Sequence, residues 1–415
     1  MIDRLLLREK PDYCRQLILK KDPSFPIDIL IELERKVYER LQDVERLRAE
    51  KNSLAQHGPQ MKVDGALRQK AQEVRDSLIG EEKALKELEE KFRDLYLRCP
   101  NLLDEDVPAG GKEANMVIKV WGEKPSFSFD VLHHMALNEK VKFFDFQAAA
   151  RMTGSQFVFY QTEGAQLLYA LALYMLQNNQ RHGYRMVLPP YLVNEETLQA
   201  ASNFPRFRDA VYAVDDEHLF LTPTSEVNLT SLYRDRVFLA EELPVRHTSW
   251  TSCFRREAGG YGAMERGLIR IHQFEKVELY AICTPQQAKE EHERMLACAE
   301  TIVQSLGLHY RVSLLAAQDA SFAAARTYDI EVWMPGQKTY MEVSSASNCS
   351  TFQARRADIR YRSTPHDKSQ LVYTLNTSSL ALPRLMVAIM ETYQDEQGMI
   401  QVPQVLKDLM KLIGG

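Results

Sequence analysis

The sequence predicts an α+β protein in which a helical arm precedes an antiparallel β-sheet flanked by helices. Three observations support this prediction. Two charged segments with apolar residues at heptad spacing fill most of residues 27–98. After residue 108, long extended segments follow one another through hairpins rather than through regular crossover helices. Neither G-x-G-x-x-G nor G-x-x-x-x-G-K-[ST] is present, so neither a Rossmann nor a P-loop nucleotide site is expected.

The composition is that of a folded, soluble protein. Of the 415 residues, 45% are hydrophobic and 26% are charged, and the net charge of −5 excludes a generally basic coat for nucleic acid. The longest uncharged stretch, residues 164–180, contains Gln and Asn and is shorter than the roughly 20 apolar residues of a membrane span. With no apolar signal core and six scattered cysteines, a cytoplasmic protein with no membrane association is expected.

The first predicted element is a long helical hairpin at about residues 27–98, within an N-terminal domain of residues 1–107. Residues 27–56 contain neither Gly nor Pro, and a breaker at 57–60 separates them from a second helical run. The apolar positions recur every three or four residues, with one heptad position taken by Glu81. They are Leu30, Leu33, Val37, Leu41, Val44 and Leu47, then Leu67, Ala71, Val74, Leu78, Leu85, Leu88, Phe92 and Leu95. Two helices, each about 45 Å long, predict an antiparallel coiled-coil arm.

Positive charge is concentrated at the tip of this arm. Between positions 46 and 75, seven basic residues stand against three acidic ones. The basic residues are Arg46, Arg48, Lys51, Lys62, Arg68, Lys70 and Arg75. A basic tip on a protein of net negative charge favours binding of a polyanion. From charge alone, a solvated coiled coil with ordinary surface charges stays open as the alternative.

Residues 108–415 form the second predicted domain. Extended segments are predicted at 184–188, 248–256, 268–282, 308–314, 330–334 and 340–343, and helices at 165–177, 286–307 and 384–394. Hairpins between long strands favour an antiparallel sheet flanked by helices. Met386 and Met390 are expected in the core. The His133–His134 pair is expected to be structural, and no zinc site is expected.

The hairpin at residues 251–278 contains the side chains that suggest chemistry. Because side chains alternate between the faces of a strand, two sets of residues are expected on common faces. The sets are Arg255 with Glu257, and Arg270, His272, Phe274, Lys276 and Glu278. Arginine binds phosphate oxygens and a phenylalanine can stack on a base, which fits a nucleotide site. Cross-strand ion pairs on a structural polar face explain the same residue types, and both interpretations stay open at this point.

Three segments together resemble the motifs of the class II aminoacyl-tRNA synthetases. The hairpin resembles motif 2, and its Arg-x-Glu…Arg-x-His-Gln-Phe-x-Lys-Val-Glu form resembles the seryl enzymes. Residues 183–192 resemble motif 1, the strand and proline of the family's dimer interface, and residues 375–384 resemble motif 3. Residues 8–15, followed by the helical hairpin, resemble the tRNA-binding arm of seryl enzymes. The resemblance covers essentially the whole chain.

The resemblance implies roles for particular residues, with Arg255, Glu257 and Arg384 as the catalytic set. The implied ATP contacts are Arg255, Arg256, Glu257, Arg270, Ile271, Phe274, Glu342, Val343, Ser344, Ser345 and Arg384. The implied serine contacts are Thr224, Ser225, Glu226, Arg255, Glu278, Asn376 and Ser378. Glu342 and Ser345 are the implied ligands of the Mg²⁺ that accompanies ATP. The basic residues at the arm tip are the implied tRNA contacts.

The activity that the resemblance implies is ATP-dependent joining of L-serine to tRNA(Ser) by a homodimer, with tRNA(Sec) as an open second substrate. Serine would attack the α-phosphorus of ATP, and a tRNA 3′-terminal hydroxyl would then attack the seryl-adenylate. No general base for the second step is evident. The alternative is an inactive relative that binds RNA as a helper, but Arg255, Arg270 and Arg384 are intact. The loop Ala263-Met264-Glu265 departs from the family's usual Arg-Asp-Thr, so acceptor recognition is open.

Overall fold

The computed structural model describes residues 1–56, 64–214, 218–257 and 267–414. The chain divides into two compact units, Met1–Leu102 and Leu103–Gly415. Lys62 and the loop residues Ala263, Met264 and Glu265 lie outside the described residues. Within the described ranges, every helix is too short or too polar to cross a bilayer.

The first unit is helical. Short helices at Arg4–Glu9 and Pro11–Lys21 precede two long ones, Ile27–Gln56 and Gly65–Arg98. The Asp64 carboxylate caps the second long helix by accepting hydrogen bonds from the amides of Ala66 and Leu67. The long helices pack against each other, and much of the predicted apolar seam is buried, including Leu30, Val37, Val44, Val74, Leu78, Leu85 and Phe92. The predicted pair of helices is therefore confirmed.

Ion pairs complete the packing of the helical unit. The buried Glu34 carboxylate accepts hydrogen bonds from Arg4, at 2.8 Å, and from Arg8. At the heptad position where an apolar residue is missing, Glu81 accepts a hydrogen bond of 2.6 Å from Arg40 of the other long helix. A polar pair at such a position favours one register of the two helices over the alternatives.

The second unit contains the β-structure. In chain order the strands are β1 Met116–Trp121, β2 Phe144–Asp145, β3 Phe159–Tyr160, β4 Arg185–Met186, β5 Leu192–Asn194, β6 Ala213–Val214, β7 Leu219–Leu221, β8 Val237–Leu239, β9 Val245–Phe254, β10 Gln273–Cys283, β11 Tyr310–Leu314, β12 Arg326–Met334, β13 Thr339–Asn348, β14 Arg360–Arg362, β15 Gln370–Leu371 and β16 Tyr373–Ala381. The main sheet of the described residues has the order β1-β11-β12-β13-β16-β10-β9-β4. Its pairs are antiparallel except β4 with β9, which confirms the predicted sheet type.

Helices flank this sheet. They span His134–Val141, Phe146–Met152, Thr162–Arg181, Glu195–Ala200, Ser225–Ser231, Ala288–Ser305, Phe352–Ala357, Leu382–Thr392 and Gln404–Gly414. The largest apolar core joins residues such as Leu171, Ile302 and Ile389 on three of these helices to Ile330 and Val332 on β12. Met386 and Met390 are fully buried in it, as predicted. Each such side chain contributes about 1.5–3 kcal/mol by leaving water.

The start of the return strand in the hairpin differs from the prediction. The segment was expected to be extended from residue 268, but Gly267–Ile269 is a 3₁₀ turn and β10 begins only at Gln273. Gly267 has a φ of +79°, and a Cβ at this position would lie 2.3 Å from Nε2 of His134. Gly267 thus packs closely against His134, where a side chain would not fit, and strand alternation does not apply to Arg270 and His272 because they precede β10.

Candidate active site

A cavity of about 460 Å³ lies over three neighbouring strands of the main sheet. Alternate residues of β10 and β16 line it, together with residues of β13 and of the segments that follow β9 and precede β10. The lining residues are Glu226, Arg255, Glu257, Leu268, Ile269, Arg270, Ile271, Phe274, Lys276, Glu278, Ser321, Glu342, Ser345, Ser347, Asn376, Ser378, Ala381, Pro383 and Arg384. Most of the residues that the motifs singled out thus come together in one place.

One end of the cavity is rich in arginine. The Arg255 guanidinium lies 5.1 Å from the ring centre of Phe274, and its Nε donates to the Pro223 carbonyl at 3.2 Å. Arg270 Nε lies 2.7 Å from a carboxylate oxygen of Glu257. Arg384 donates to the Glu342 carbonyl at 2.8 Å. Three guanidinium groups from separate segments therefore line one cavity beside an aromatic ring. Such groups can bind the phosphates of a nucleoside triphosphate, and the ring can stack on its base.

Glu257 reaches this cavity through an unusual backbone conformation. It follows the end of β9 and has a φ of +50°, a region that residues other than glycine adopt infrequently. The 2.7 Å pair with Arg270 accompanies this conformation. A strained residue of this kind at a charged cavity is typical of a functional site rather than of a plain turn.

The other end of the cavity contains two carboxylates. Glu226 Oε1 accepts hydrogen bonds from Gln353, at 2.7 Å, and from Asn376, at 3.1 Å. Glu278 is buried, and its Oε2 lies 2.5 Å from Lys276 Nζ. Burial, together with the nearby charge of Glu278, raises the pKa of Glu226 to about 7. Two carboxylates with one paired lysine therefore lie together here, and carboxylates are suitable partners for an ammonium group.

The cavity also contains oxygen atoms that could bind a metal ion. The Glu342 and Ser345 side chains line the cavity, and Asp329 is the cross-strand partner of Ser345. Asp329 is buried with its Oδ1 unpartnered among the described residues. Burial and the charge of Glu342 raise its pKa. Carboxylate and hydroxyl oxygens are the donors that Mg²⁺ takes in proteins, so this donor set fits a magnesium ion bound with a phosphate ligand.

Some residues implied by the resemblance lie outside this lining. Val343 is buried in the apolar core, and the Ser344 hydroxyl donates to the Ser378 carbonyl. Arg256 donates its amide to the Ala210 carbonyl, and Ser225 is buried at the first turn of a helix. Thr224 touches the cavity indirectly, through its hydrogen bond with Lys276.

His272 is also separated from the residues with which it was grouped. Its Nδ1 is hydrogen-bonded to the Arg255 carbonyl at 2.9 Å, and its ring contacts Phe157 and Tyr212. The expectation that it shares a face with Phe274 and Glu278 is therefore wrong, because β10 begins after it. Conversely, Lys276, Ser321 and Ser347 line the cavity without an expected role. The position of Lys276 on β10, midway between Phe274 and Glu278 on the same face, was the sequence feature that could have predicted this location.

The described basic residues of the arm differ in how they are paired. Arg46 pairs with Asp43, Arg48 with Glu82, and Lys70 with Glu50. Lys51, Arg68 and Arg75 are exposed, with no ion pair among the described residues. Arg48, Lys51 and Arg75 also line a shallow groove of the arm together with Ile79. Lys51, Arg68 and Arg75 thus place positive charge near the tip that no acidic residue in the described part of the arm pairs with.

The two histidines at positions 133 and 134 lie beside Glu391, a proximity that sequence spacing did not reveal. His134 Nδ1 lies 3.1 Å from a Glu391 carboxylate oxygen. The same carboxylate accepts hydrogen bonds from the amides of His134 and Gly336. Because its oxygens are already hydrogen-bonded within the fold, this cluster supports the structural role expected for the histidine pair.

Comparison with known proteins agrees with this geometry. Residues 211–393 match the class II tRNA synthetase core domain shared by the glycyl, histidyl, prolyl, seryl and threonyl enzymes, and residues 1–103 match the seryl-tRNA synthetase N-terminal domain. The serine–tRNA ligase of Chlamydia trachomatis is 42% identical over 99% of this chain and 97% of the relative. That of Dehalococcoides mccartyi is 40% identical over 99% of this chain and 98% of the relative.

Solved structures give the same result. The crystal structure of seryl-tRNA synthetase from Pyrococcus horikoshii complexed with ATP superposes with a TM-score of 0.93 and 32% identity, covering 99% of this chain and 98% of that one. The cytoplasmic serine–tRNA ligase of Naegleria fowleri in complex with AMP, at 24% identity and a TM-score of 0.86, shares the fold over 100% of this chain and 98% of that one. Fold and site therefore define a class II aminoacyl-tRNA synthetase. Within that class, the chain belongs to the seryl-tRNA synthetase family.

Proposed function

We propose that this protein activates L-serine with ATP and transfers it to tRNA as a serine–tRNA ligase. The observation that supports this most directly is the single cavity with arginines and a phenylalanine at one end and two carboxylates at the other. A nucleoside triphosphate bound by the arginines and a small amino acid bound by the carboxylates would lie side by side, as adenylate formation requires. The intact Arg255 and Arg384, and full-length similarity to serine–tRNA ligases, disfavour an inactive RNA-binding helper.

In the first step, the serine carboxylate attacks the α-phosphorus of ATP, and pyrophosphate leaves. Two anions have to approach, so fixed cations lower the barrier by positioning the reactants and by stabilising charge in the transition state. Arg255 is suited to bridge the α-phosphate and the serine carboxylate, and Arg384 is suited to the far phosphates. Phe274 would stack on the adenine, with Glu257 and Arg270 as polar contacts of the nucleotide.

A magnesium ion is part of this proposal. Glu342 and Ser345 would hold it with the phosphates of ATP, where it supplies positive charge that screens them. The pairing of Arg384 with Glu342, whose atoms Nη1 and Oε2 are 3.3 Å apart, keeps these two nucleotide-binding groups together before ATP arrives.

Serine is recognised in this proposal through hydrogen bonds. Glu278, Ser378 and Asn376 are candidates for the ammonium and hydroxyl groups, with Glu226 beside them. A buried site built to hydrogen-bond a hydroxyl rejects the analogue that lacks it by about 10⁴-fold or more, since polar groups are otherwise left unpaired. Alanine is therefore expected to be a very poor substrate.

In the second step, the arm would bind the tRNA and the cavity would hold the seryl-adenylate that the tRNA attacks. We infer that the arm binds tRNA(Ser) by its shape and backbone, through the basic residues of the tip. tRNA(Sec) is a second candidate substrate for the same surface. A homodimer in the cytoplasm completes the proposal, supported by the exposed apolar side chains Met186, Leu188 and Tyr191 in the segment that resembles motif 1.

The decisive experiment is amino-acid-dependent ATP–pyrophosphate exchange with the purified protein and each of the twenty amino acids. We expect exchange with serine alone at low substrate concentration, followed by charging of a tRNA(Ser) transcript. No exchange with any amino acid, together with retained RNA binding, would establish the helper function instead.

A further inference from the structure

Lys276 lies at the amino-acid end of the cavity, and no step of the proposed reaction uses it. Its Nζ is 2.5 Å from Glu278 Oε2 and 2.7 Å from Thr224 Oγ1, and the residue is 5% exposed. A buried ammonium group is costly unless it is paired and hydrogen-bonded. The close pairing with Glu278 meets that requirement, and it also ties the lysine to a residue of the proposed serine site.

Thr224 completes a triangle with Lys276 and Glu278. Its hydroxyl accepts from the lysine and lies 3.2 Å from the same oxygen of Glu278, to which it donates. It also accepts from the Glu226 amide at 3.3 Å, which caps the helix that begins at Ser225. With one donor and two acceptor positions used, the hydroxyl is fully engaged. The triangle therefore fixes Glu278 Oε2 from two sides.

Each carboxylate of the pocket keeps its second oxygen for a ligand. Glu278 uses Oε2 in the triangle, and Glu226 uses Oε1 for Gln353 and Asn376. Glu278 Oε1 and Glu226 Oε2 have no hydrogen-bond partner within the described part of the chain, and both residues line the cavity. Each of these two cavity-lining carboxylates thus keeps one oxygen with hydrogen-bonding capacity for a ligand.

Charge balance gives the lysine a second effect. Glu226, Glu278 and Lys276 together carry one negative charge in excess when both carboxylates are ionised. Arg255, whose charge also reaches Glu226, is assigned to the serine carboxylate and the α-phosphate. The α-ammonium group of serine would balance the excess negative charge. Without the lysine, the two carboxylates would repel each other more strongly, and Glu226 would be expected to keep its proton to a higher pH.

We propose that Lys276 is a positioning residue of the serine site, which fixes the Glu278 carboxylate and cancels one of the two buried negative charges so that the pocket accepts a single ammonium group. This inference rests on the proposed function, since it concerns the amino acid that the chain activates. It predicts that loss of the lysine impairs binding of serine much more than binding of ATP.

The test is a double-mutant cycle measured by serine-dependent pyrophosphate exchange in the full-length protein. Lys276→Met should raise the KM for serine by about 10- to 100-fold, the range expected from loss of one charged hydrogen bond, with the KM for ATP changed less than about twofold. Glu226→Gln removes one negative charge. In the double variant, which restores the charge balance, the KM for serine should lie well below the product of the two single effects.

Lys119→Met is the matched control. Lys119 pairs with the largely buried Glu300 at 2.7 Å in the same unit, away from the residues that line the cavity. Its loss should leave the KM for serine unchanged. Thermal melts of all variants report folding, and the double variant keeps the test valid if Lys276→Met alone folds poorly.

The possible outcomes separate this inference from the proposed function. If the wild type exchanges with serine and Lys276→Met has the same KM for serine, or the two substitutions act additively, the positioning role is refuted while the proposed function stands. If the wild type shows no serine-dependent exchange, both fall together.

Discussion

At the scale of single residues, the site depends on pairs that hold charged groups ready for a ligand. Arg384 is held by Glu342, Arg270 by Glu257, and Glu278 by Lys276. Each pair leaves hydrogen-bonding capacity on at least one partner, so that a ligand can add contacts without first breaking the fold. Pre-formed pairs of this kind reduce the reorganisation needed when charge develops in the reaction.

The raised pKa of Glu226 leads to a testable pH dependence. Below about pH 7 the empty pocket holds a proton on Glu226, and binding of an ammonium group favours the ionised form. The KM for serine should therefore fall by about 10-fold as the pH rises from 6 to 8, as expected for one ionisation. Steady-state exchange kinetics across this range measure it.

Glu226→Gln is the control for this prediction, because glutamine cannot ionise. The variant should show a flat pH profile of the KM for serine between pH 6 and 8. An unchanged slope in the variant would assign the titration to another group. The same raised pKa should make the free energy of unfolding of the wild type decrease as the pH rises from about 4.5 to 7, because the folded chain must then hold the buried charge.

At the scale of elements, periodicity predicted what is long and regular. The helices at 27–56 and 65–98 and the antiparallel pairing of β9 with β10 followed from heptad spacing and strand alternation. The turn at Gly267–Ile269 did not follow from either pattern, and its packing against His134 joins positions more than a hundred residues apart in sequence. The proximity of Glu391 to His133 and His134 was missed for the same reason.

The site was predictable to the extent that motifs lie on strands. Phe274 and Glu278 lie on β10, as alternation predicted, and Asn376 and Ser378 come beside them because β16 pairs with β10. The pKa of Glu226 depends on its burial and on its distance from Glu278, and neither quantity can be obtained from the sequence alone. Family membership was predicted from the residues of the three motifs and is confirmed by the comparisons.

The arm offers a prediction at the same scale. Replacing Lys51, Arg68 and Arg75 by Ala should raise the KM for tRNA(Ser) by about 10-fold or more at moderate salt, because contacts of basic side chains with phosphates dominate such binding. Serine-dependent pyrophosphate exchange should stay at the wild-type level. Aminoacylation at two salt concentrations, with exchange measured in parallel, checks both statements.

The matched control removes three exposed lysines nearer the other end of the same helix pair. Lys83, Lys86 and Lys91 are exposed as well, and their replacement by Ala removes the same amount of charge. That variant should charge tRNA normally. Equal losses in both triple variants would indicate that overall charge, rather than the tip, is responsible. A loss of exchange would contradict the assignment of tRNA binding to the arm and of serine activation to the cavity.

At the scale of the whole molecule, the segment of the second unit that resembles motif 1 exposes several large apolar side chains to solvent. Met186 is 55% exposed, and Leu188 is 78% exposed. Tyr191 and Leu192 are exposed beside them, and Tyr169, which contacts the ring of Trp250, is also exposed. Several large apolar side chains exposed in one segment are what an interaction surface would provide.

If a second copy of the chain covers this surface, the protein should sediment at about twice its mass of 47.8 kDa. Leu188→Glu places a charge in the apolar contact and should shift the equilibrium towards the monomer by about 10-fold or more, since an unpaired buried charge costs several kcal/mol. Leu412→Glu is the control, because Leu412 is exposed to 77%, almost as much as Leu188, but lies on the C-terminal helix. Sedimentation velocity over a range of concentrations measures the oligomeric state of the three proteins. A monomeric wild type would contradict a dimer built on this segment. Dissociation caused by Leu412→Glu but not by Leu188→Glu would contradict it as well.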